Sequence, residues 1–401
     1  MKDVSRRSFI ATSALATAGF AILPGLIQCK GSKNSKVNIA IIGAGGRGVA
    51  NWHSLFIDAP GDENKPNDQR RKVLTENVVA LCDVDEKRAG EAYKVFPKAK
   101  RYKDFRKMFD EMSKEIDAVI ISTPDHTHFP AAMAAMQLGK HVYVEKPLAH
   151  SIWQVRTLRK AASYYKVISQ MGNQGHSGNG IRCIKEWYEA GVLGEVKEVV
   201  AWADGPQFST NGWFCKPDQF PPREDKIPSA LDWDLWLGPA ASRPYSQFYL
   251  PQVWRGWYDF GNGNLGDWAC HTLDAPFWAL DLGMPRSVEV IKRTPSFDGF
   301  VSDQSELKFQ FDARGNKPPV TLTWHDGGLQ PEIRKEWGLS KLGGSGMIMV
   351  GEKASLMTDG RPDGPELLVS KEEWQHFQKN MPPQTIRRVE GGPVEIGRAH
   401  V

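Results

Sequence analysis

The stretch VNIAIIGAGGRG, residues 37–48, decides the fold class of this chain. Its first six residues are nearly all apolar, which predicts a strand buried on both faces of a parallel sheet. The glycines that follow have the spacing GxGxxG, which permits a tight turn, close approach of the backbone to a pyrophosphate and close packing of helix on strand. The stretch therefore predicts a dinucleotide site, with an ordinary glycine turn as the alternative. The residues assigned to this site are Gly43, Gly45, Gly46, Arg47 and Gly48.

Beyond this stretch, apolar strand-like runs alternate with helical patterns as far as about residue 165. Alternation of this kind predicts a doubly wound parallel sheet, so we assign residues 37–165 to an NAD(P)-binding Rossmann domain. After that point, candidate strands follow one another with few helices between them, which indicates an antiparallel sheet. Residues 166–394 are therefore assigned to a second domain.

Composition excludes several classes of protein. The 401 residues are 41% hydrophobic and 24% charged, which is typical of globular domains, and the length predicts two or three of them. The net charge of +4 resides mostly in the first thirty residues, so the body offers no electrostatic footprint for nucleic acid. Five scattered cysteines without a CxxC pair argue against a zinc module and a disulfide scaffold, and no metal site is predicted.

Both ends of the chain carry unusual sequences. Residues 1–30 contain SRRSFI followed by an uncharged stretch, which resembles a twin-arginine export signal. This predicts export in the folded state by the twin-arginine machinery and a periplasmic location. An uncleaved membrane anchor is the alternative, and lipidation at Cys29 is a weaker one. The last residues, EIGRAHV at 395–401, can be encoded by a common sequencing-adapter read, so we interpret them as a non-native tail.

The acid expected at the end of the second strand of a dinucleotide-binding domain is Asp83. A carboxylate there can accept both ribose hydroxyls and repels a 2′-phosphate, which favours NAD over NADP. The polar insertion at 58–71 accounts for its long separation from the glycines. A strand-capping aspartate is the alternative, and Lys87 and Arg88 leave NADP possible.

Further motifs follow in order: STPDHTH at 122–128, EKPL at 145–148, GNQ at 172–174 and GDWACHTLD at 266–274. With the glycine loop, they make residues 37–350 resemble the Gfo/Idh/MocA oxidoreductases. The resemblance implies an α/β protein, with an N-terminal Rossmann domain and a C-terminal α/β domain that has an open, mainly antiparallel sheet. It also implies NAD(P)-dependent redox chemistry, mostly on sugars and cyclitols, and a homo-oligomer (dimer or tetramer) formed through the exposed sheet.

The resemblance also assigns residues to the site. Those implied to contact or adjoin the cofactor are Ser122, Thr123, Pro124, Asp125, His126, Glu145, Lys146 and Asn173. Asp267 and His271 match the family's pair beside the reacting hydroxyl. Their chemistry suits that role, because histidine titrates near neutral pH and can accept the hydroxyl proton, while an aspartate four residues away on a helix can orient it. Lys146 can donate to the substrate oxygen. A core or capping histidine is the alternative for His271.

Eight tryptophans between residues 202 and 278 suit a carbohydrate pocket, although most are expected to pack in the core. The candidate substrate contacts are His176, Arg182, Arg255 and Trp257. For Arg255, a structural salt bridge is an equal alternative.

An exported dehydrogenase needs a tightly held cofactor that is regenerated in place, because little free nicotinamide is expected outside the inner membrane. The first hypothesis is thus a sugar or cyclitol oxidoreductase with tightly bound NAD. The second is a redox-neutral glycosidase or lyase that works through a transient keto-sugar. Some relatives of that kind carry Tyr-Pro-Thr-His where this chain has WACH at 268–271, which weakens that reading. The third is a non-catalytic dinucleotide or sugar-binding protein.

Overall fold

A computed structural model of the protein describes residues 36–59, 61–62, 65–66, 69–203, 216–296 and 299–388. The export signal assigned to 1–30 and the tail assigned to 395–401 lie outside the described residues, so both assignments stay predictions. Within the described ranges, no helix has both the length and the apolar character of a membrane span.

The N-terminal domain is built on six parallel strands in the order β5-β4-β1-β6-β7-β8. A two-stranded hairpin, β2 and β3, flanks the polar insertion. The strands are β1 Asn38–Ile42, β2 Phe56–Asp58, β3 Lys72–Leu74, β4 Asn77–Cys82, β5 Lys100–Tyr102, β6 Ala118–Ile121, β7 His141–Glu145 and β8 Ser169–Gly172. The helices are α1 Arg47–His53, α2 Gly90–Val95, α3 Phe105–Met112, α4 Asp125–Gln137 and α5 Ile152–Tyr165.

Helices cover both faces of this sheet, and the sequence of β1 explains how. Ala40 and Ile42 point to the face covered by α3, α4 and α5, whereas Ile39 and Ile41 point to the face covered by α1 and α2. Because neighbouring side chains of a strand alternate between faces, a strand covered twice must be apolar throughout. The doubly wound parallel sheet predicted from the sequence is confirmed.

The parallel sheet extends further along the chain than expected. Strand β8 pairs in parallel with β7, with Glu145 opposite Gly172. The predicted boundary between the two domains, at residue 165, is therefore wrong, because it assigned β8 to the second domain. The sequence obscured this, since β8 is a short edge strand that carries polar residues and joins the sheet only through long-range hydrogen bonds. Its position brings the GNQ motif beside the end of β7.

The C-terminal domain holds a seven-stranded sheet in the order β10-β11-β12-β9-β13-β14-β15. Strands β9 and β12 run parallel and the other neighbours antiparallel, as expected for an open, mainly antiparallel sheet. The strands are β9 Val196–Ala203, β10 Ser287–Arg293, β11 Ser305–Phe311, β12 Val320–Asp326, β13 Ser345–Gly351, β14 Leu356–Asp359 and β15 Glu366–Leu367. The helices are α6 Asn179–Glu189, α7 Trp233–Leu237, α8 Cys270–Thr272, α9 Asp274–Leu280 and α10 Lys371–Lys379.

An aromatic segment, residues 216–260, lies against the first domain. Its backbone bonds to the loop after β4, where Glu86 N–H donates to Ala230 O (3.1 Å) and Asp232 N–H donates to Val84 O (2.9 Å). Most of its large rings are buried against one another, which is the core-packing role expected for most tryptophans. The segment forms one wall above the carboxyl ends of the parallel strands.

Candidate active site

A cleft of about 370 Å³ opens at the carboxyl ends of β1, β4, β6 and β7. This is the edge at which doubly wound sheets bind ligands. Loops from the first domain form one side, and the aromatic segment and the 265–272 helical stretch form the other. Its lining includes most residues of the predicted site: Gly43, Gly45, Gly46, Arg47, Asp83, Ser122, Thr123, Pro124, Asp125, Glu145, Lys146, Arg255, Asp267 and His271.

The glycine loop has no room for side chains. A Cβ on Gly48 would lie 1.9 Å from the carbonyl oxygen of Gly43, so helix α1 packs directly on the turn. Gly43 has a φ of +80°, and a Cβ there would lie 2.8 Å from the backbone of Ser122. Only glycine satisfies both requirements, which is the reason for the spacing seen in the sequence.

The residues around the loop fit a dinucleotide. Thr123 Oγ1 lies buried in the cleft lining with no hydrogen-bond partner among the described residues, which leaves a donor and acceptor for a ligand. Asp83 accepts the N–H of Gly45 (3.0 Å) and of Asp85 (3.0 Å) on different oxygens, so each oxygen keeps lone-pair capacity for a ribose hydroxyl. Burial raises the pKa of Asp83. The guanidinium of Arg88 lies over Gly46, a position from which it can contact the 2′-phosphate of NADP.

Replacing Gly48 with alanine should weaken NADH binding by about tenfold or more, because the added methyl forces α1 away from the turn. Gly90→Ala is the matched control, since a Cβ there meets no atom within 4 Å. Titration followed by NADH fluorescence measures the affinity, and a thermal melt checks folding. Equal NADH affinity in the two variants would contradict this role of the loop.

We call the part of the cleft lined by Lys146, Asp267 and His271 the reacting end. Lys146 and Asp267 lie at its centre. Lys146 follows β7, and its ammonium donates to Asp267 Oδ1 (2.9 Å) and to the Asp267 carbonyl. Arg255 Nε donates to the same carboxylate oxygen (3.1 Å). Burial opposes ionisation of Asp267, but these two cations hold its pKa below the ordinary value. Lys146 has three N–H donors, so one remains for a substrate oxygen.

The expectation that Asp267 orients His271 is wrong. The Asp267 carboxylate bonds instead to Lys146 and Arg255, and no bond joins it to the imidazole. Asp267 lies in a π-helical turn, Leu265–Ala269, directly before α8, and π-helical turns often occur at functional sites. A buried carboxylate pairs with adjacent cations in preference to a neutral ring, because the cations offset its desolvation.

His271 is held by Asn173. The Asn173 amide donates from Nδ2 to the Cys270 carbonyl (2.9 Å), so its Oδ1 faces His271 Nδ1 (2.8 Å). An amide oxygen only accepts, and Nδ1 must therefore carry the ring proton. Nε2 is then the acceptor nitrogen of a neutral ring. Burial, with Lys146 and Arg361 nearby, lowers the pKa of His271 to about 3.

Asn173 was expected to contact the cofactor, but its bonds make it a positioning residue for His271. Asn173→Asp should raise the His271 pKa, because a carboxylate would face Nδ1. A fall in kcat/KM should then develop between about pH 7 and pH 5, where the wild-type profile stays flat. The pH profiles measure this, with the exposed Asn380→Asp as control. A flat profile in Asn173→Asp, with only NAD affinity reduced, would favour the cofactor role.

Glu145 and His126 position other groups. Glu145 is buried, and one of its oxygens accepts from Arg47 Nε (3.1 Å), Asn51 Nδ2 (2.9 Å) and Gln174 Nε2 (2.8 Å). It therefore fixes Arg47 beside the glycine loop. His126 is buried outside the cleft lining, where its Nε2 bonds to the Trp236 carbonyl (3.0 Å) and burial lowers its pKa to about 4. His126 thus joins the aromatic segment to α4.

Three expected substrate contacts lie outside the cleft lining, and the structure corrects them. Trp257 is buried among aromatic rings and donates to the Phe248 carbonyl (2.7 Å). Arg182 is buried and donates to the carbonyls of His176 and Arg387 (both 2.9 Å). His176 pairs with Asp274 (2.9 Å). The polar groups of these three side chains therefore bond to other groups of the protein itself. Arg255, by contrast, lines the cleft and makes the salt bridge that was its alternative.

The cleft also contains residues that the sequence reasoning missed. Gln174, Trp268 and Arg361 line its reacting end. Gln174 lies inside the GNQ motif at 172–174, and Trp268 inside the GDWACHTLD motif at 266–274. Arg361 follows β14 with no motif around it, so nothing in the sequence linked it to residues almost 100 positions earlier.

Comparison with known proteins agrees with this architecture. Residues 37–173 match the Gfo/Idh/MocA oxidoreductase model for the NAD-binding Rossmann fold, and residues 177–312 match the model for its C-terminal alpha/beta domain. An inositol 2-dehydrogenase/D-chiro-inositol 3-dehydrogenase of Lacticaseibacillus casei is 28% identical over 177 residues, covering 44% of this chain and 46% of that protein. A glycosyl hydrolase family 109 protein of Saccharopolyspora erythraea is 26% identical over 219 residues, covering 48% and 44%.

These alignments span less than half the length of the curated relatives. Among solved structures, a levoglucosan dehydrogenase in complex with NADH and levoglucosan is similar with a TM-score of 0.55 and 18% identity, over 84% of this chain and 78% of that one. At this identity the likeness concerns the fold.

Proposed function

The chain belongs to the Gfo/Idh/MocA family of oxidoreductases, and from this premise we propose that it transfers hydride between a secondary hydroxyl of a sugar or cyclitol and a tightly bound NAD. The observation that carries the proposal is the convergence of Lys146 and His271 on the cleft that the glycine loop also lines. A lysine donor and a neutral imidazole suit alcohol oxidation, because one can stabilise the oxygen while the other takes its proton.

Each residue of the proposed active site has a separate role in the reaction. When bound, NAD supplies the acceptor for the hydride that leaves the substrate carbon. His271 Nε2 accepts the hydroxyl proton, and its neutral ring is available because the pKa lies far below the ordinary value. Lys146 donates to the substrate oxygen while negative charge develops there. Asp267 and Arg255 hold the lysine in place, and Asn173 keeps the imidazole in the reactive tautomer.

The substrate class rests on the relatives. One acts by its name on inositols, and another is described with levoglucosan and NADH. Both are polyhydroxylated rings, so a sugar or cyclitol ring is the proposed substrate here.

We also propose that the protein is exported folded, with its cofactor, to the periplasm. This rests on the SRRSFI pattern near the N-terminus, and the twin-arginine machinery is then its partner. A homo-oligomer, a dimer or tetramer, is proposed through the exposed sheet of the second domain. In support, β10 is exposed over its whole length and carries Val288 and Val290 at 55% and 56% exposure.

The test is to incubate the purified protein with a library of sugars and cyclitols and to follow both nicotinamide absorbance and sugar products. A rise in bound or free NADH with a keto product supports the dehydrogenase. Release of free sugar from glycosides without net NADH would instead support the glycosidase or lyase, the activity to which the family 109 relative points. Binding of NAD and sugar without turnover would indicate a binding protein. Rapid exchange of NAD would contradict the tightly held cofactor.

A further inference from the structure

Arg361 stands at the edge of the cleft next to the proposed base. Its guanidinium carbon lies 5.9 Å from the centre of the Trp268 ring, and that ring lies 6.2 Å from the His271 ring. All three side chains line the cleft. Arg361 is exposed, so its N–H groups can reach a ligand.

The backbone of Arg361 is anchored relative to His271. Thr272, the neighbour of His271 in α8, donates through Oγ1 to the Gly360 carbonyl (2.9 Å). A Cβ on Gly360 would lie 3.4 Å from Trp268 and 2.2 Å from Ser345 Oγ, so the turn is closely packed. Asp359 Oδ1 also accepts the backbone N–H of Arg361 (3.0 Å). The backbone of Arg361 is therefore held in a fixed position beside the reacting end of the cleft.

The guanidinium of Arg361 has no carboxylate within 4.0 Å in the part of the chain that the structure describes. Asp359 and Asp363 are its nearest acidic neighbours in sequence, and neither forms an ion pair with it. The other charged groups at this end are already matched: Glu145 pairs with Arg47, and Asp267 is shared by Lys146 and Arg255. Two carboxylates thus face three cations, and Arg361 adds a fourth.

The third acid that lines this end of the cleft, with Glu145 and Asp267, is Asp125. It is buried, accepts from Asn262 Nδ2 (3.0 Å), and burial raises its pKa. Among the side chains that line this end of the cleft, four cations therefore face three carboxylates even when Asp125 is ionised. A neutral sugar would leave Arg361 without an ionic partner, whereas an anionic group on the substrate would supply one.

We propose that Arg361 binds the carboxylate of an acidic sugar, so that the preferred substrate of this protein is a uronic acid or a glycoside of one. This inference rests on the proposed function and names its substrate class. A guanidinium over an indole ring keeps its N–H edge available, and that edge matches a carboxylate with two parallel hydrogen bonds. The part of the Trp268 indole that faces the cleft provides an apolar surface for the sugar ring.

The test is calorimetric titration of the NAD-saturated protein with glucuronate, galacturonate and mannuronate, each paired with its neutral hexose, and with glucose 6-phosphate. The wild type should bind at least one hexuronate about tenfold or more tightly than its neutral partner. Arg361→Gln should reduce that ratio to near one, mainly by weakening the binding of the hexuronate. Arg361→Lys should restore part of it. The control is Arg286→Gln, a surface arginine that is 68% exposed and should keep the full ratio.

Two results would overturn the proposal: equal binding of acidic and neutral sugars by the wild type, or a preference that Arg361→Gln retains. A preference for glucose 6-phosphate over every hexuronate, lost in Arg361→Gln, would replace the carboxylate by a phosphate and overturn the substrate class. Because titration requires no turnover, the substrate class is judged separately from the reaction. Hexuronate binding without any NADH formation would contradict the proposed function and leave this inference standing.

Discussion

Replacing Lys146 with methionine should lower kcat by about 10²- to 10³-fold, the effect of losing one donor to a developing oxyanion. Methionine keeps the unbranched shape of the side chain, one atom shorter, but donates no hydrogen bond. Asp267 would keep Arg255 as a partner, so the local ion pairing is weakened and not abolished. KM for the sugar should change much less than kcat, because the contact strengthens as charge builds on the substrate oxygen.

The measurement is steady-state turnover with the sugar identified by the library, together with NADH affinity and a thermal melt. Lys160→Met, at an exposed position of α5, is the matched control and should retain full activity. If Lys146→Met kept kcat within about threefold of the wild type while folding normally, Lys146 would have no role in stabilising the oxygen.

Replacing His271 with asparagine should lower kcat by about 10²- to 10⁴-fold, the usual effect of removing a general base. The asparagine amide can donate to Asn173 Oδ1 from a position near that of Nδ1, so the contact that holds the ring is replaced. The nitrogen that accepts the proton, Nε2, is lost. NADH affinity should stay near the wild-type value, since the glycine loop is untouched.

A second measurement tests whether the buried imidazole of His271 is neutral in the folded protein. The wild-type imidazole stays neutral when folded, with a pKa of about 3, but takes a proton in the unfolded chain below about pH 6.5. The unfolded state then binds more protons, so His271 makes the protein less stable as the pH falls from about 7 to 5. His271→Asn should reduce that loss of stability.

The control for this variant is His325→Asn, which removes a buried imidazole from β12, a strand of the second sheet. It should leave kcat unchanged even if it lowers the melting temperature. Activity of His271→Asn within about tenfold of the wild type would contradict the assignment of the base.

The sequence by itself determined the architecture and the location of the cofactor site. The apolar runs of β1, β4, β6 and β7 had to be buried on both faces, and this required a parallel sheet covered by helices on both sides. The glycine spacing was equally decisive, because the contact between Gly48 and Gly43 excludes any side chain. Both are local properties of the chain, in which spacing along the backbone sets geometry directly.

Only the tertiary structure decided which side chains meet. The spacing of Asp267 and His271 allowed a pair, but the carboxylate bonds to Lys146, which lies 121 residues away, and the imidazole to Asn173, 98 residues away. Arg361 reaches the same cleft from a turn after β14 that carries no motif. Which polar side chains pair depends on which partners are buried beside them, because buried charges compete for the same partners. Those partners come together only when distant segments of the chain pack against one another.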